Sequence, residues 1–244
     1  MRFIGSSLRD AAALLVAAPV DLMLGVAALF ILGALLSVTG ASPILGLLLN
    51  FLGSTLLGAG LVGRRKPDGL AAAGTRLSRR LTPALGQVML AILGIAALIV
   101  LVALVQGFVL ALVAPDVAAR LTQVTASREA FAREPAFALL AIPFVLVLVL
   151  IAGRLLPSAG LVLDRPVGAV ESFRLAWGST RGRTFACAVL LLLSIAPNWL
   201  LVAFLPPSVS VFLAIISVVF SVAVGVATYR RLFPDSSPAE PAAG

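Results

Sequence analysis

Histidine is missing from the 244 residues, while cysteine occurs once, as Cys187, and lysine once, as Lys66. Without histidine there is no Ser-His-Asp triad, no His-Glu-x-x-His zinc site and no histidine ligand for haem. A single thiolate builds neither a zinc cluster nor an iron–sulfur site, and it closes no internal disulfide. Cys187 lies inside an apolar run and reads as a small packing residue. Lys66 is followed by Pro67, so no Walker-type phosphate loop is present. Intramembrane aspartyl proteolysis needs two membrane-embedded carboxylates, and only Asp21 is a candidate. No catalytic residue, metal ligand or cofactor site follows from such an inventory, and the chain reads as a non-enzyme.

Charge is also scarce. Only 11% of residues are charged and 61% are hydrophobic, whereas a soluble domain carries about 25% charged residues. Mean hydropathy is +1.15, so the natural solvent is lipid. The apolar residues come in runs of roughly 20, the length of a helix crossing a hydrocarbon core about 30 Å thick. The alternation over about 10 residues expected of outer-membrane strands is absent. The expected fold is therefore all-α: a polytopic transmembrane helical bundle of six spans with short amphipathic interfacial helices. The spans fall at about 22–38, 44–62, 84–114, 137–156, 185–205 and 209–229, inside one domain of residues 1–233. Arg9, Asp10 and Asp21 interrupt the first apolar stretch, so it reads as an uncleaved span despite small residues at Thr39-Gly40-Ala41. Residues 234–244 are small and Pro-rich and read as a disordered cytoplasmic tail.

The basic residues orient these spans. Fifteen of the eighteen fall before span one, between spans two and three, between spans four and five, or after span six. With an even number of spans those segments share one side. The other side holds Arg120, Arg128 and Arg133, balanced by Asp116, Glu129 and Glu134. Arginine accumulates where it need not cross the bilayer, which places both termini in the cytoplasm. The net charge of +8 is thus a topology signal, and no basic stripe on a soluble domain points to nucleic acid. Arginine in place of lysine suggests a GC-rich bacterial source, and hence the bacterial inner membrane.

Three basic segments look alike. Gly5 to Arg9 leads into Pro19, Gly69 through Arg80 into Pro83, and Gly168 through Arg181 into Gly182. Each reads as a short interfacial helix, a helix breaker and then a hairpin of spans. The third is the clearest, with Val167, Val170, Phe173 and Trp177 on one face and Glu171, Arg174, Gly178 and Arg181 on another. Glu171, Arg174, Trp177 and Arg181 are its candidates for docking a partner or touching lipid headgroups. The passive alternative is a surface connector. Intramembrane polar candidates are Asp21, Asn50, Gln106 and Asn198. Asp21 suits a first helical turn, where the macrodipole favours a carboxylate. The three amides suit interhelical hydrogen bonds, each contributing about 0.6 kcal/mol.

The stretch Leu156-Pro157, Leu163-Asp164-Arg165-Pro166-Val167-Gly168-Ala169-Val170-Glu171-Ser172-Phe173-Arg174-Leu175-Ala176-Trp177 and Thr180-Arg181-Gly182-Arg183 resembles a bacterial family signature. It is similar to the multi-pass membrane domain attached to some glycerophosphoryl diester phosphodiesterases, and to YciC-like stand-alone membrane proteins. The resemblance implies a six-span membrane domain over about residues 5–232. The phosphodiesterase activity of the larger members resides in a separate soluble barrel with no counterpart in these residues, so the resemblance does not imply it.

Two functional expectations stay open. One is a scaffold, assembly or envelope-maintenance factor of the inner membrane. The other is a transport component, either a permease for a neutral or lipid-like solute or a subunit docked to a cytoplasmic ATPase. A lipid-acting enzyme is the weaker third. The expected partners are the lipid bilayer and a membrane or cytoplasmic protein, with no nucleic acid. Topology is directly testable. In a cysteine-free C187A background, a membrane-impermeant maleimide added to spheroplasts should label Ser127→Cys and spare Ser78→Cys until permeabilisation. Labelling in the reverse order would invert the orientation.

Overall fold

The computed structural model describes residues 2–40, 42–63, 66–113, 135–202 and 207–234. Among these it is helical, with no strand. The helices are α1 (Arg2–Val16), α2 (Val20–Val38), α3 (Pro43–Leu61), α4 (Leu70–Val113), α5 (Pro135–Leu155), α6 (Ser158–Asp164), α7 (Ala169–Ser179), α8 (Thr184–Val202) and α9 (Pro207–Leu232). Five segments are long and apolar enough to cross a membrane, and a sixth is reached when α7 and α8, bent by 113°, are taken together. The fold class is thus an all-α bundle with spans of membrane length.

Helices α2, α3, α5, α8 and α9 cover most of the apolar runs marked at 22–38, 44–62, 137–156, 185–205 and 209–229, although α8 reaches membrane length only when taken with α7. Two local expectations fail. Pro83 does not end a helix: α4 runs unbroken for 44 residues with Pro83 inside it. Proline removes one N–H and one backbone bond. The segments on both sides are good helix formers, so the helix persists, and the second of the three look-alike units has no break. Leu156 to Asp164, expected to lie beyond span four, is instead the short helix α6. It follows a turn at Leu156–Pro157, and Ser158, Gly160, Leu161, Val162 and Leu163 are buried. The fourth apolar segment therefore reaches Asp164. The segment 114–134 and the tail 235–244 lie outside the described residues.

The chain divides into two compact units. Met1–Gln87 and Ala152–Gly244 form the first. Here α2 packs on α3, α8 on α9, and α1 against both α8 and α9. Helix α6 is enclosed by α3, α7 and α9. The core is concentrated near the basic loops: Leu22, Val26 and Phe30 of α2, Leu56, Leu57 and Leu61 of α3, Leu161 and Leu163 of α6, and Val224, Val226 and Tyr229 of α9. Val88–Ile151 form the second unit. Its stretch of α4 exposes large apolar side chains on every side, including Met89, Ile92, Leu93, Leu101, Leu104 and Phe108. A helix apolar all round and bare at its surface has the character of a membrane span.

Close helix approach in the first unit depends on missing side chains. A Cβ on Gly160 would stand 2.6–2.8 Å from the ring and Cβ of Tyr229, and Tyr229 is 1% exposed and cannot yield. Gly160→Ala should therefore cost about 1–3 kcal/mol by overpacking. Gly74, with nothing within 4 Å of its would-be Cβ, gives the opposite sign: Gly74→Ala should gain up to about 1 kcal/mol from helix propensity. The unfolding midpoint in mixed micelles, followed by tryptophan fluorescence, checks both.

Candidate functional site

Polar side chains converge where the helices of the first unit end. The C-terminus of α3 leaves carbonyls with no helical partner. Two arginines from other elements fill them: Arg76 of α4 donates to the Ala59 carbonyl, and Arg230 of α9 donates to the carbonyls of Leu61, at 2.6 Å, and of Gly63. A cation at this end also meets the negative pole of the helix. Arg76 additionally pairs with Asp68 at 2.5 Å. The Asp68 N–H donates to the Gly60 carbonyl at 2.8 Å, so the loop folds back onto the same helix end.

Three further ties close this layer. The Leu70 N–H, at the start of α4, donates to Asp21 Oδ2 at 2.7 Å. The buried Tyr229 hydroxyl donates to Asp164 Oδ2 at 2.6 Å and so joins α9 to the end of α6. Arg231 reaches Asp10 Oδ2 through Nε at 2.7 Å and Nη2 at 2.6 Å, which holds α1 to α9. Four of the five described acids thus tie one element to another, and Glu171 stays exposed.

Asp21 stands in the first turn of α2, yet its carboxylate caps α4 rather than its own helix. Asn50 lies against the α2–α3 contact, with its Oδ1 2.8 Å from where a Cβ on Gly33 would sit. Gln106 is half-buried and belongs to the second unit. The side chain of Asn198 lies outside the described residues. The intramembrane polar candidates are therefore not seen to share one site.

On α7 the buried face is not the aromatic one. Ser172, Ala176 and Thr180 are fully buried, spaced four apart on one face of the helix. Their small size lets α7 lie close on α6. Val170 is 69% and Trp177 42% exposed, and Glu171, Arg174 and Arg181 are exposed as well. Glu171 and Arg174, three residues apart, are not among the ion pairs of the described residues, which are Arg76–Asp68 and Arg231–Asp10. Trp177 is held instead by Arg154, whose guanidinium carbon lies 3.7 Å from the ring centre and whose Nη2 donates to the Trp177 carbonyl at 2.6 Å. Thr180 donates to the Ala176 carbonyl at 2.8 Å and closes α7, and Gly182 turns the chain at φ 86°.

The residues that join the helices, Asp10, Asp68, Asp164, Arg76, Tyr229, Arg230 and Arg231, were not among the sequence candidates. A signal was present in the four acids at 10, 21, 68 and 164, which sit among loops otherwise dominated by arginine. No family model, curated protein or solved structure matches the chain.

The two arginines at the end of α9 differ in consequence. Arg230→Ala leaves two carbonyls of the α3 end without their charged donor and should cost about 1.5–3 kcal/mol. Arg231→Ala breaks a pair whose side chains are 32% and 43% exposed and should cost about 1 kcal/mol or less. Detergent unfolding of the two variants side by side should separate them in that order.

Proposed function

We propose that this chain is a multi-pass protein of the bacterial inner membrane, with both termini in the cytoplasm. In this reading it acts as a structural scaffold, assembly or envelope-maintenance factor and not as an enzyme. The observation that carries it is the use made of the polar groups. Those that meet in the first unit join helix ends at the basic side, over a compact core that includes Leu57, Leu61, Leu161 and Val224. The arginine asymmetry supports the orientation, and the resemblance of residues 156–183 to YciC-like proteins supports the stand-alone role. What is left for interaction is the surface, and α7 with its exposed Glu171, Arg174, Trp177 and Arg181 is its most distinctive part.

Complementation of a deletion strain under detergent or osmotic stress separates the readings. A scaffold should tolerate Asn50→Ala, Gln106→Leu and Asn198→Ala, and it should lose function with alanine at Glu171, Arg174 and Arg181 together. A permease should show the opposite dependence, and that result would overturn the proposal.

A further inference from the structure

After the pairs described above are made, several basic side chains stay outside any ion pair of the described residues, and one group of them lies about the start of α1 and the turn between α7 and α8. The Arg183 guanidinium lies 5.0 Å from the centre of the Phe3 ring. That contact brings the first turn of α1 to the turn between α7 and α8. Arg2 precedes Phe3, Arg181 lies in the turn two residues before Arg183, and Arg174 lies in the α7 helix that leads into this turn. All four arginines are exposed, and neither ion pair of the described residues includes any of them. Of the nearby acids, Asp10 is engaged by Arg231, which leaves Glu171.

The same stretch exposes large apolar groups: Phe185 is 75% exposed, two residues after Arg183, and Trp177 is 42% exposed. Guanidinium groups beside bare aromatic rings suit a layer where phosphate lies above acyl chain. An inorganic anion would satisfy the charges and leave Phe185 uncovered, whereas a phospholipid brings an acyl chain with its phosphate. We propose that Arg2, Arg174, Arg181 and Arg183 form a docking surface for the phosphate headgroups of anionic phospholipids, with Trp177 and Phe185 seated among the upper acyl chains. The proposal rests on the membrane reading above and names the occupant of the α7 surface.

The test uses the full-length protein in a neutral detergent, titrated by native mass spectrometry with tetraoleoyl cardiolipin, dioleoyl phosphatidylglycerol and dioleoyl phosphatidylcholine. Both anionic lipids should bind and phosphatidylcholine should not. Replacing the four arginines by glutamine should weaken binding about tenfold or more, given the attraction each basic group near a membrane surface contributes. Replacing them by lysine should preserve most of it. The same loss of charge elsewhere, with glutamine at Lys66, Arg79, Arg80 and Arg165, should change affinity less than about twofold. Equal losses in the two glutamine variants would reduce the effect to net charge and overturn the site, as would equal binding of phosphatidylcholine. Displacement of cardiolipin by millimolar inorganic phosphate would identify a free-anion site and overturn the lipid. Complementation is read separately. Lipid binding without a cellular role for α7 would sink the scaffold reading alone, and a cellular role without lipid binding would sink this inference alone.

Discussion

The bundle depends on how the C-terminal end of α3 is satisfied. A helix stops with carbonyls that nothing in the helix can pair, and at the edge of a membrane water is a poor and uneven substitute. Arg76 and Arg230 provide the donors, one from the helix that follows and one from the last helix of the chain. Residues separated by 169 positions, Leu61 and Arg230, are thereby brought into one bond. Hydrophobic association cannot do this, because lipid covers an apolar helix as readily as another helix does. The position of α9 relative to α3 therefore rests on polar geometry at the end and on close packing just beneath it.

That arrangement explains why the core lies toward one side. Leu22, Leu57, Leu61, Leu163 and Val226 are buried close to the charged ties, while Ile31, Leu35, Ile44, Leu47 and Leu48, at the other ends of α2 and α3, are exposed. Helix ends joined by hydrogen bonds can bury side chains tightly against one another. Farther along the spans the contact is thinner, and lipid completes the surface. Gly160 belongs to the tight region, where the ring of Tyr229 takes the space a side chain would need and places its hydroxyl on Asp164.

Element type and extent were legible in the residues because apolar length is a strong signal: α2, α3, α5, α8 and α9 could be marked to within a few positions. The local breaker rules were less reliable. Gly182 does turn the chain, at φ 86°, but Pro83 does not, because losing one backbone bond is a smaller penalty than stopping a helix whose flanks both favour it. On α7 the pattern of polar and apolar residues was legible but the packing face was not: Ser172, Ala176 and Thr180 are buried while Val170 and Trp177 are exposed, and small residues carry little apolar signal. The polar ties could not be located from spacing, since Asp10–Arg231 and Asp164–Tyr229 join positions 221 and 65 residues apart. What could be read was that an acid surrounded by arginines needs a reason to be there.

Charge therefore has two physical roles on the same side of this molecule. Arg76, Arg230 and Arg231 are half-buried and matched to carbonyls or carboxylates. Arg2, Arg174, Arg181 and Arg183 are exposed. Both sets come from the same basic segments of the sequence, so a count of arginines cannot tell them apart. Burial and geometry can, because a guanidinium matched inside the protein has little left to offer an outside ligand. An exposed one beside Phe185 and Trp177 offers both its charge and an adjoining apolar surface. The surplus is what gives this end of the bundle chemical character toward its surroundings, and the matched set is what ties the helices that present it.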